Sequence, residues 1–138
     1  MERAAITETV RDRTEADEEG ATDATQAVLT TLGERLSADR AEDLASELPE
    51  ELSDRLTAGE SGEQFSEEEY ISRVDQRLDT FDVTGERAAT AVLATILEGL
   101  GEDERAAVVD QFEQYGFETL LGETNVDIDV SERSPRER

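Results

Sequence analysis

The chain repeats itself, and this constrains its fold more than any other feature. When the sequence is shifted by 64 positions, residues 24–39 align with residues 88–103, and eight of the sixteen aligned positions are identical. The identical pairs are Ala24 and Ala88, Ala27 and Ala91, Val28 and Val92, Leu29 and Leu93, Thr31 and Thr95, Glu34 and Glu98, Leu36 and Leu100, and Asp39 and Asp103. We therefore interpret the chain as two copies of one unit of about 60 residues.

Each copy carries the residue spacing of an amphipathic helix. Apolar and small side chains recur at i, i+3, i+4, i+7 and i+8 in the first copy, at Ala24, Ala27, Val28, Thr31 and Leu32. The second copy repeats the spacing at Ala88, Ala91, Val92, Thr95 and Ile96. This period places the side chains on one face of a helix. The second helix of each copy is predicted to be the most buried.

Shorter first helices and a third helical segment flank these stripes. The first helices carry Ala5, Ile6 and Val10 in one copy and Tyr70, Ile71, Val74 and Leu78 in the other. The third segments carry Ala41, Leu44, Ala45, Leu48, Leu52 and Leu56, matched by Val108, Val109, Phe112, Leu120 and Leu121. Pro49 lacks a backbone donor and is predicted to break or kink its segment near Leu48. The predicted fold is all-α, a compact helical bundle of two pseudo-repeats with about three helices each.

Boundary signals agree with this division. Ser66 and Glu69 have the spacing of a capping box, Ser37 and Thr84 are predicted to cap the helices after them, and Gly101 separates two helices.

The boundaries define one helical domain over residues 1–121. Pseudo-repeat one covers residues 1–57, a loop covers 58–65, and pseudo-repeat two covers 66–121. Residues 122–138 are predicted to form a flexible tail rich in acids and arginines. Its segment 125–130 alternates like a strand, but the extended tail is the favoured interpretation because a lone strand has no partner.

The net charge of −24 arises from 37 acidic residues against 13 cations, all of them arginine. Such a charge opposes compaction in dilute buffer, whereas molar salt shortens the Debye length to about 3 Å. We interpret the chain as a halophile-type acidic protein of the cytoplasm; the alternative is an ordinary acidic or partly disordered interaction protein. Nucleic acid and membrane are excluded as partners, because both attract cationic surfaces and no apolar run spans a bilayer.

The residue inventory restricts catalysis. The sequence has no His, Cys or Lys, which excludes most nucleophilic, Schiff-base and phosphate-loop mechanisms. Carboxylate chemistry remains, but the acidic clusters lack the spacing of a calcium loop and are interpreted as solvated surface. We predict that the protein is not an enzyme, with no catalytic, cofactor-binding or metal-binding residue.

The leading hypothesis for function is a non-enzymatic protein-interaction or structural module with a protein partner or a homo-oligomeric assembly. The candidate partner surface comprises Leu48, Pro49, Leu52, Phe112, Tyr115 and Phe117, although core packing is the simpler interpretation of its aromatic members. Residues 41–70 carry eleven acids and one arginine, which suits either a basic partner or solubility alone. The alternative function is a small-molecule or cation sensor with its ligand between the two repeats.

The arginines of the second copy have carboxylates nearby. Arg73 and Arg77 lie one helical turn apart, close to Asp75 and Asp79. We predict surface ion pairs worth a few tenths of a kcal/mol each.

The doubled pattern resembles a known family. Its elements are an aromatic-led first helix, the run Ala-x-x-Ala-Val-Leu-x-x-Leu, and the run Leu-x-x-x-Leu-Pro-x-x-Leu, within residues 24–36, 44–52, 69–78 and 88–100. These resemble the family called domain of unknown function 2267 over most of residues 1–121. The resemblance implies a compact all-helical fold without an established activity or catalytic residues. The second copy departs from it, with Phe112 and Glu113 in place of Leu-Pro.

Overall fold

The computed structural model describes residues 3–57, 59, 61–78, 83–115 and 117, and these residues form seven helices and no strand. The helices are α1 (Arg3–Thr14), α2 (Glu18–Arg35), α3 (Ala38–Ala45), α4 (Glu50–Thr57), α5 (Glu67–Arg77), α6 (Gly85–Gly99) and α7 (Glu102–Tyr115). The all-α prediction is confirmed. The helices number seven because the third segment of the first half is split in two.

Side-chain oxygens begin four of the helices. The predicted caps are confirmed: Ser37 accepts a hydrogen bond from the Arg40 N–H, Ser66 from the Glu69 N–H and Thr84 from the Arg87 N–H. Asp17 caps α2 in the same way, accepting from the Gly20 N–H at 2.8 Å. Each cap satisfies a donor that the first helical turn leaves without a partner.

Pro49 separates α3 from α4, as its missing N–H predicts. Helix α3 ends at Ala45 and α4 begins at Glu50. The Pro49 carbonyl accepts hydrogen bonds from the Leu52 and Ser53 N–H groups at 3.0 and 2.8 Å. Helix α7 contains no proline and continues unbroken for 14 residues.

The core lies around α2 and α6. Helix α2 contacts α1, α4, α5 and α6, and α6 also contacts α1 and α5. Ten of the 15 residues of α6 and ten of the 18 residues of α2 are buried, against two of the eight in α3. The prediction that the second helices are the most buried is confirmed. Helix α1 therefore packs on both central helices, and α5 does the same.

The backbones of α2 and α4 come into direct contact at Gly33. A Cβ atom at Gly33 would lie 1.9 Å from the carbonyl oxygen of Leu56, so no larger residue fits without a shift of α4. The position 64 residues later is Leu97, a buried core side chain. The packing at this position of the repeat therefore differs between the two halves of the chain.

Several predictions lie outside the described residues. These are the tail 122–138, the alternating segment 125–130, and the core positions Leu120 and Leu121. Among the helices that the structure describes, none is long and apolar enough to cross a membrane.

Candidate functional site

The candidate partner surface lies largely inside the protein. Leu48, Leu52, Phe112 and Phe117 are buried core residues, and Pro49 is half-buried. The side chain of Tyr115 is outside the described part of the chain. The structure brings Phe112 and Phe117 together, with ring centroids 5.8 Å apart. The core interpretation accounts for these side chains, and partner binding at this segment stays a prediction.

The aromatic side chains form one cluster where α5 meets α2. The ring of Tyr70 lies 5.3 Å from the ring of Phe117 and stacks on Phe65 at 6.4 Å. The Tyr70 hydroxyl donates a hydrogen bond to the carbonyl of Val28 at 3.3 Å. Burial raises the pKa of this hydroxyl, because a phenolate would be poorly solvated there. Tyr70 thus fastens α5 to α2 through its ring and its hydroxyl.

Two arginines cover the aromatic cluster. The Arg35 guanidinium lies 5.8 Å from the centroid of Phe65 and 5.9 Å from that of Phe117. The Arg73 guanidinium lies over Phe65 at 4.1 Å. Such contacts contribute cation–π attraction together with burial of the arginine stems. The cations therefore act as packing elements as well as charges.

The connector between the halves is tied to the end of α2. The N–H of Gly62 donates to the carbonyl of Leu36 at 2.7 Å, and the N–H of Glu63 donates to the carbonyl of Glu34 at 2.9 Å. The Arg35 Nε also donates to the carbonyl of Phe65 at 3.0 Å. The first two bonds satisfy backbone carbonyls at the end of α2, and the third satisfies a carbonyl of the connector.

Glu34 is the centre of an ion-pair network. Its carboxylate contacts Arg77 Nη2 at 2.8 Å and Arg73 Nη1 at 3.2 Å, and its side chain is only 14% exposed. Arg73 also contacts Glu63 and Glu69, each at 3.0 Å. The hydrogen bond to Glu69, followed by those to Glu63 and Glu34, raises the pKa of Arg73. This end of α2 is therefore cross-linked to α5 and to the connector.

A second ion pair joins α1 to α6. Arg13 Nη2 contacts the Glu98 carboxylate at 2.6 Å, and Arg13 Nη1 donates to the Thr95 hydroxyl at 3.1 Å. In the Arg77–Glu34 ion pair, Arg77 Nη1 donates in the same way to the hydroxyl of Thr31 at 2.9 Å. The two contacts use equivalent residues, because corresponding members lie 64 positions apart in the sequence. The pairs are Arg13 and Arg77, Thr95 and Thr31, and Glu98 and Glu34.

The predicted pairing of these arginines with Asp75 is wrong. Asp75 makes no ion pair within the described residues; its carboxylate accepts a hydrogen bond from the Gly85 N–H at 2.9 Å and so helps begin α6. Asp79 lies outside the described residues. The 64-residue shift also aligns Arg13 with Arg77, and this signal was available in the sequence.

A third cross-link joins α3 to α7. Arg40 Nη1 contacts the Glu104 carboxylate at 3.3 Å, and both side chains are mostly buried. The Arg40 Nε is buried without a hydrogen-bond partner in the described structure. These two residues are again 64 positions apart, so an arginine of one half contacts the acid aligned with it in the other.

The remaining acids do not converge on a metal site. Among the residues that the structure describes, no group of three or more Asp or Glu side chains is arranged to hold a metal ion. A cavity of about 170 Å³ lies between α1, α2 and α4, with threonine prominent in its lining. No motif in the sequence analysis pointed to these threonines, because hydroxyl side chains are common on helix surfaces.

Comparison with known proteins assigns the chain to a family but not to an activity. No protein of curated function matches the chain. The model of a family described as "Uncharacterized conserved protein (DUF2267)" matches residues 4–116, which include nearly all of α1 through α7. Because this match covers most of the chain and agrees with the resemblance in the sequence, the protein belongs to the DUF2267 family of uncharacterized conserved proteins.

Proposed function

We propose that the protein is a non-enzymatic module of the cytoplasm that binds a protein partner or assembles with itself, and that it is adapted to high salt. The observation that carries this proposal is the cross-linking of the two halves by the Arg13–Glu98 and Arg77–Glu34 ion pairs. Such cross-links favour a rigid scaffold for recognition over a site that opens around a substrate. The lack of His, Cys and Lys supports the same conclusion.

The proposed architecture is a pair of interlocked repeats. Helix α1 belongs to the first repeat but pairs with Glu98 of the second, while α5 of the second pairs with Glu34 of the first. The matched 64-residue spacing of arginine, threonine and glutamate supports an approximate two-fold relation between the repeats. Exchange of equivalent helices ties the repeats into one folding unit, because neither repeat satisfies its arginine alone.

The proposed recognition surface is the outer face of α3 and α4. Leu44, Leu48, Leu52 and Leu56 anchor these helices in the core. The opposite side exposes the acidic side chains of Glu42, Asp43, Glu47, Glu50 and Asp54. An acidic face of this kind complements a basic segment of a partner protein, and ion pairs that become buried on binding are screened less at molar salt than exposed pairs are.

Affinity capture with matched charge variants tests partner binding. The tagged protein is captured from its native lysate in 2 M KCl and compared with two double variants by quantitative mass spectrometry. Glu47→Arg with Asp54→Arg alters the proposed face, whereas Glu8→Arg with Asp12→Arg makes the same change of charge on exposed positions of α1. We expect one stoichiometric protein with the unmodified chain and the α1 variant, and its loss from the face variant.

Equal retention by both variants contradicts the proposed surface. Absence of any stoichiometric partner contradicts binding of another protein. In that case size-exclusion chromatography in 2 M KCl distinguishes self-assembly from a monomer, and a monomer overturns the proposed function.

The high-salt adaptation has a separate test. Far-UV circular dichroism is measured in 2 M KCl and in dilute buffer. We expect helix content to fall in dilute buffer, because unscreened repulsion from a net charge of −24 opposes the compact state. Equal helicity in the two solutions contradicts the adaptation.

A further inference from the structure

The cavity between α1, α2 and α4 has a lining that suits one class of ligand. It measures about 170 Å³ and is lined by Thr7, Thr22, Thr25, Gln26, Glu51 and Leu52. The described lining residues therefore present three hydroxyls, one carboxamide, one carboxylate and the aliphatic side chain of Leu52 to this small space. The cavity lies within the first half of the chain, not between the halves where the sequence analysis placed a ligand.

Three polar side chains in this lining have no hydrogen-bond partner among the described residues. Thr7 is only 7% exposed, yet its side chain makes no hydrogen bond within the described part of the chain. The side chains of Thr22 and Gln26 likewise make none to described residues. The buried Thr25 hydroxyl donates to the Ala21 carbonyl at 2.8 Å, which leaves its oxygen able to accept. The hydroxyls of Thr7 and Thr22 and the carboxamide of Gln26 therefore keep hydrogen-bonding capacity that a guest molecule in the cavity can use.

The described part of the lining favours neutral ligands over charged ones. Among the side chains that the structure describes, no arginine lines the cavity, so the described lining offers an anion no opposite charge. Among the described lining residues, Glu51 carries the carboxylate, and it already has an interaction within the protein, whereas divalent cations favour several oxygen ligands with carboxylates among them. Hydroxyl and carboxamide groups both donate and accept, and this matches the hydroxyls of a neutral polyol.

The volume limits the size of the ligand. At about 30 Å³ for each water molecule of the liquid, the cavity corresponds to about six waters. We infer that this cavity is a binding site for a small neutral polyol of three or four carbons, with Thr7, Thr22 and Gln26 as its hydrogen-bonding groups. This inference is independent of the proposed partner binding on α3 and α4.

The second half of the chain provides an internal comparison. The positions 64 residues after Thr7 and Thr25 are Ile71 and Ala89, which carry no hydroxyl. Ala89 is fully buried and Ile71 is packed against the core. The polyol site is therefore expected only in the first half.

Nuclear magnetic resonance spectroscopy tests the site directly. Erythritol and glycerol are titrated separately into the isotope-labelled full chain in 2 M KCl. We expect saturable shifts of the methyl signals of Thr7, Thr22 and Thr25 and of the side-chain amide of Gln26. Shifts that grow linearly without saturation, or that spread over the whole surface, overturn the inference. A response of these signals to replacement of KCl by NaCl, without a response to either polyol, also overturns it.

Hydroxyl-deleting variants show whether the lining makes the contacts. Thr7→Val and Thr22→Val keep the side-chain shape and are each expected to weaken erythritol binding about fivefold, as expected for loss of one neutral hydrogen bond. Thr9→Val is the matched control, because Thr9 lies on α1 outside the cavity and its hydroxyl donates to Ala5. Thermal unfolding verifies that each variant is folded. Equal affinity of Thr7→Val, Thr22→Val and Thr9→Val overturns the assignment of these groups.

Discussion

The same contact occurs twice in this protein, at Glu34 and at Glu98, in different surroundings. Both carboxylates accept from an arginine that also donates to a threonine one turn earlier on the acceptor's helix. Glu34 is 14% exposed and holds two arginines, whereas Glu98 is 46% exposed and holds Arg13. Within the part of the chain that the structure describes, the connector and Phe65 lie against the Glu34 site.

We expect the free-energy contribution of each ion pair to depend on how far neighbouring groups shield it from solvent. A pair exposed to water contributes little, because solvent and salt screen the attraction. A covered pair becomes costly to break, because removal of one partner leaves a poorly solvated charge. The repeated sequence pattern repeats the geometry of the contact, and we expect the free energy of the contact to differ between the two sites.

The largest expected effect concerns the packing that distinguishes the halves, at Gly33. Substitution Gly33→Ala places a methyl group 1.9 Å from the Leu56 carbonyl oxygen and is expected to destabilise the fold by about 3 kcal/mol, the upper range for overpacking. Urea unfolding in 2 M KCl measures the loss. Gly101→Ala is the control, because its Cβ would meet open space. If Gly33→Ala lowers the free energy of unfolding no more than Gly101→Ala does, α4 shifts without cost and the prediction is wrong.

The next effect tests the covered ion pair. Glu34→Gln leaves Arg73 and Arg77 without their shared carboxylate and is expected to cost about 2 kcal/mol, less than for a fully buried pair because Arg73 keeps Glu63 and Glu69. The free energy of unfolding in urea at fixed KCl measures it. A loss of stability smaller than that of Glu98→Gln would contradict the expectation that the covered ion pair contributes more than the exposed one.

Tyr70 extends the comparison to the first helices, because the residue 64 positions earlier is Ile6, which has no hydroxyl. Tyr70→Phe removes the bond to Val28 and is expected to cost about 1 kcal/mol. Burial raises the folded-state pKa of Tyr70, so its contribution is present below the unfolded pKa of about 10 and is lost as the pH rises above that value. Urea unfolding from pH 8 to 11 should show a steeper loss for the unmodified chain than for Tyr70→Phe; parallel curves would contradict this assignment.

The smallest effect is expected at the exposed pair. Glu98→Gln should cost no more than about 0.5 kcal/mol, because Glu98 and Arg13 are both accessible to solvent. Thermal unfolding of this variant in 0.5 and 3 M KCl measures the difference, which should shrink further at the higher salt. A cost equal to that of Glu34→Gln would show that burial does not set the energy of these pairs.

Much of the fold was predictable because its signals are local. The stripes at Ala24 and Ala88 indicated the two central helices, and Ser37, Ser66 and Thr84 marked helix starts that the structure confirms. The candidate surface was less predictable. Helical periodicity shows which side chains share a face, but not whether another helix covers that face. Leu48 and Phe112 are covered in the structure, and so lie in the core.

The sequence by itself determined the helical class, the caps, the break at Pro49 and the 64-residue repeat, since each depends on neighbours within a few turns or on direct alignment. Only the tertiary structure decided that Arg77 pairs with Glu34 rather than with Asp75, and that Thr7 lines a cavity. These contacts join residues far apart in the chain. Such contacts depend on how the helices cross, and many sequences with the same local periodicity are compatible with different crossings.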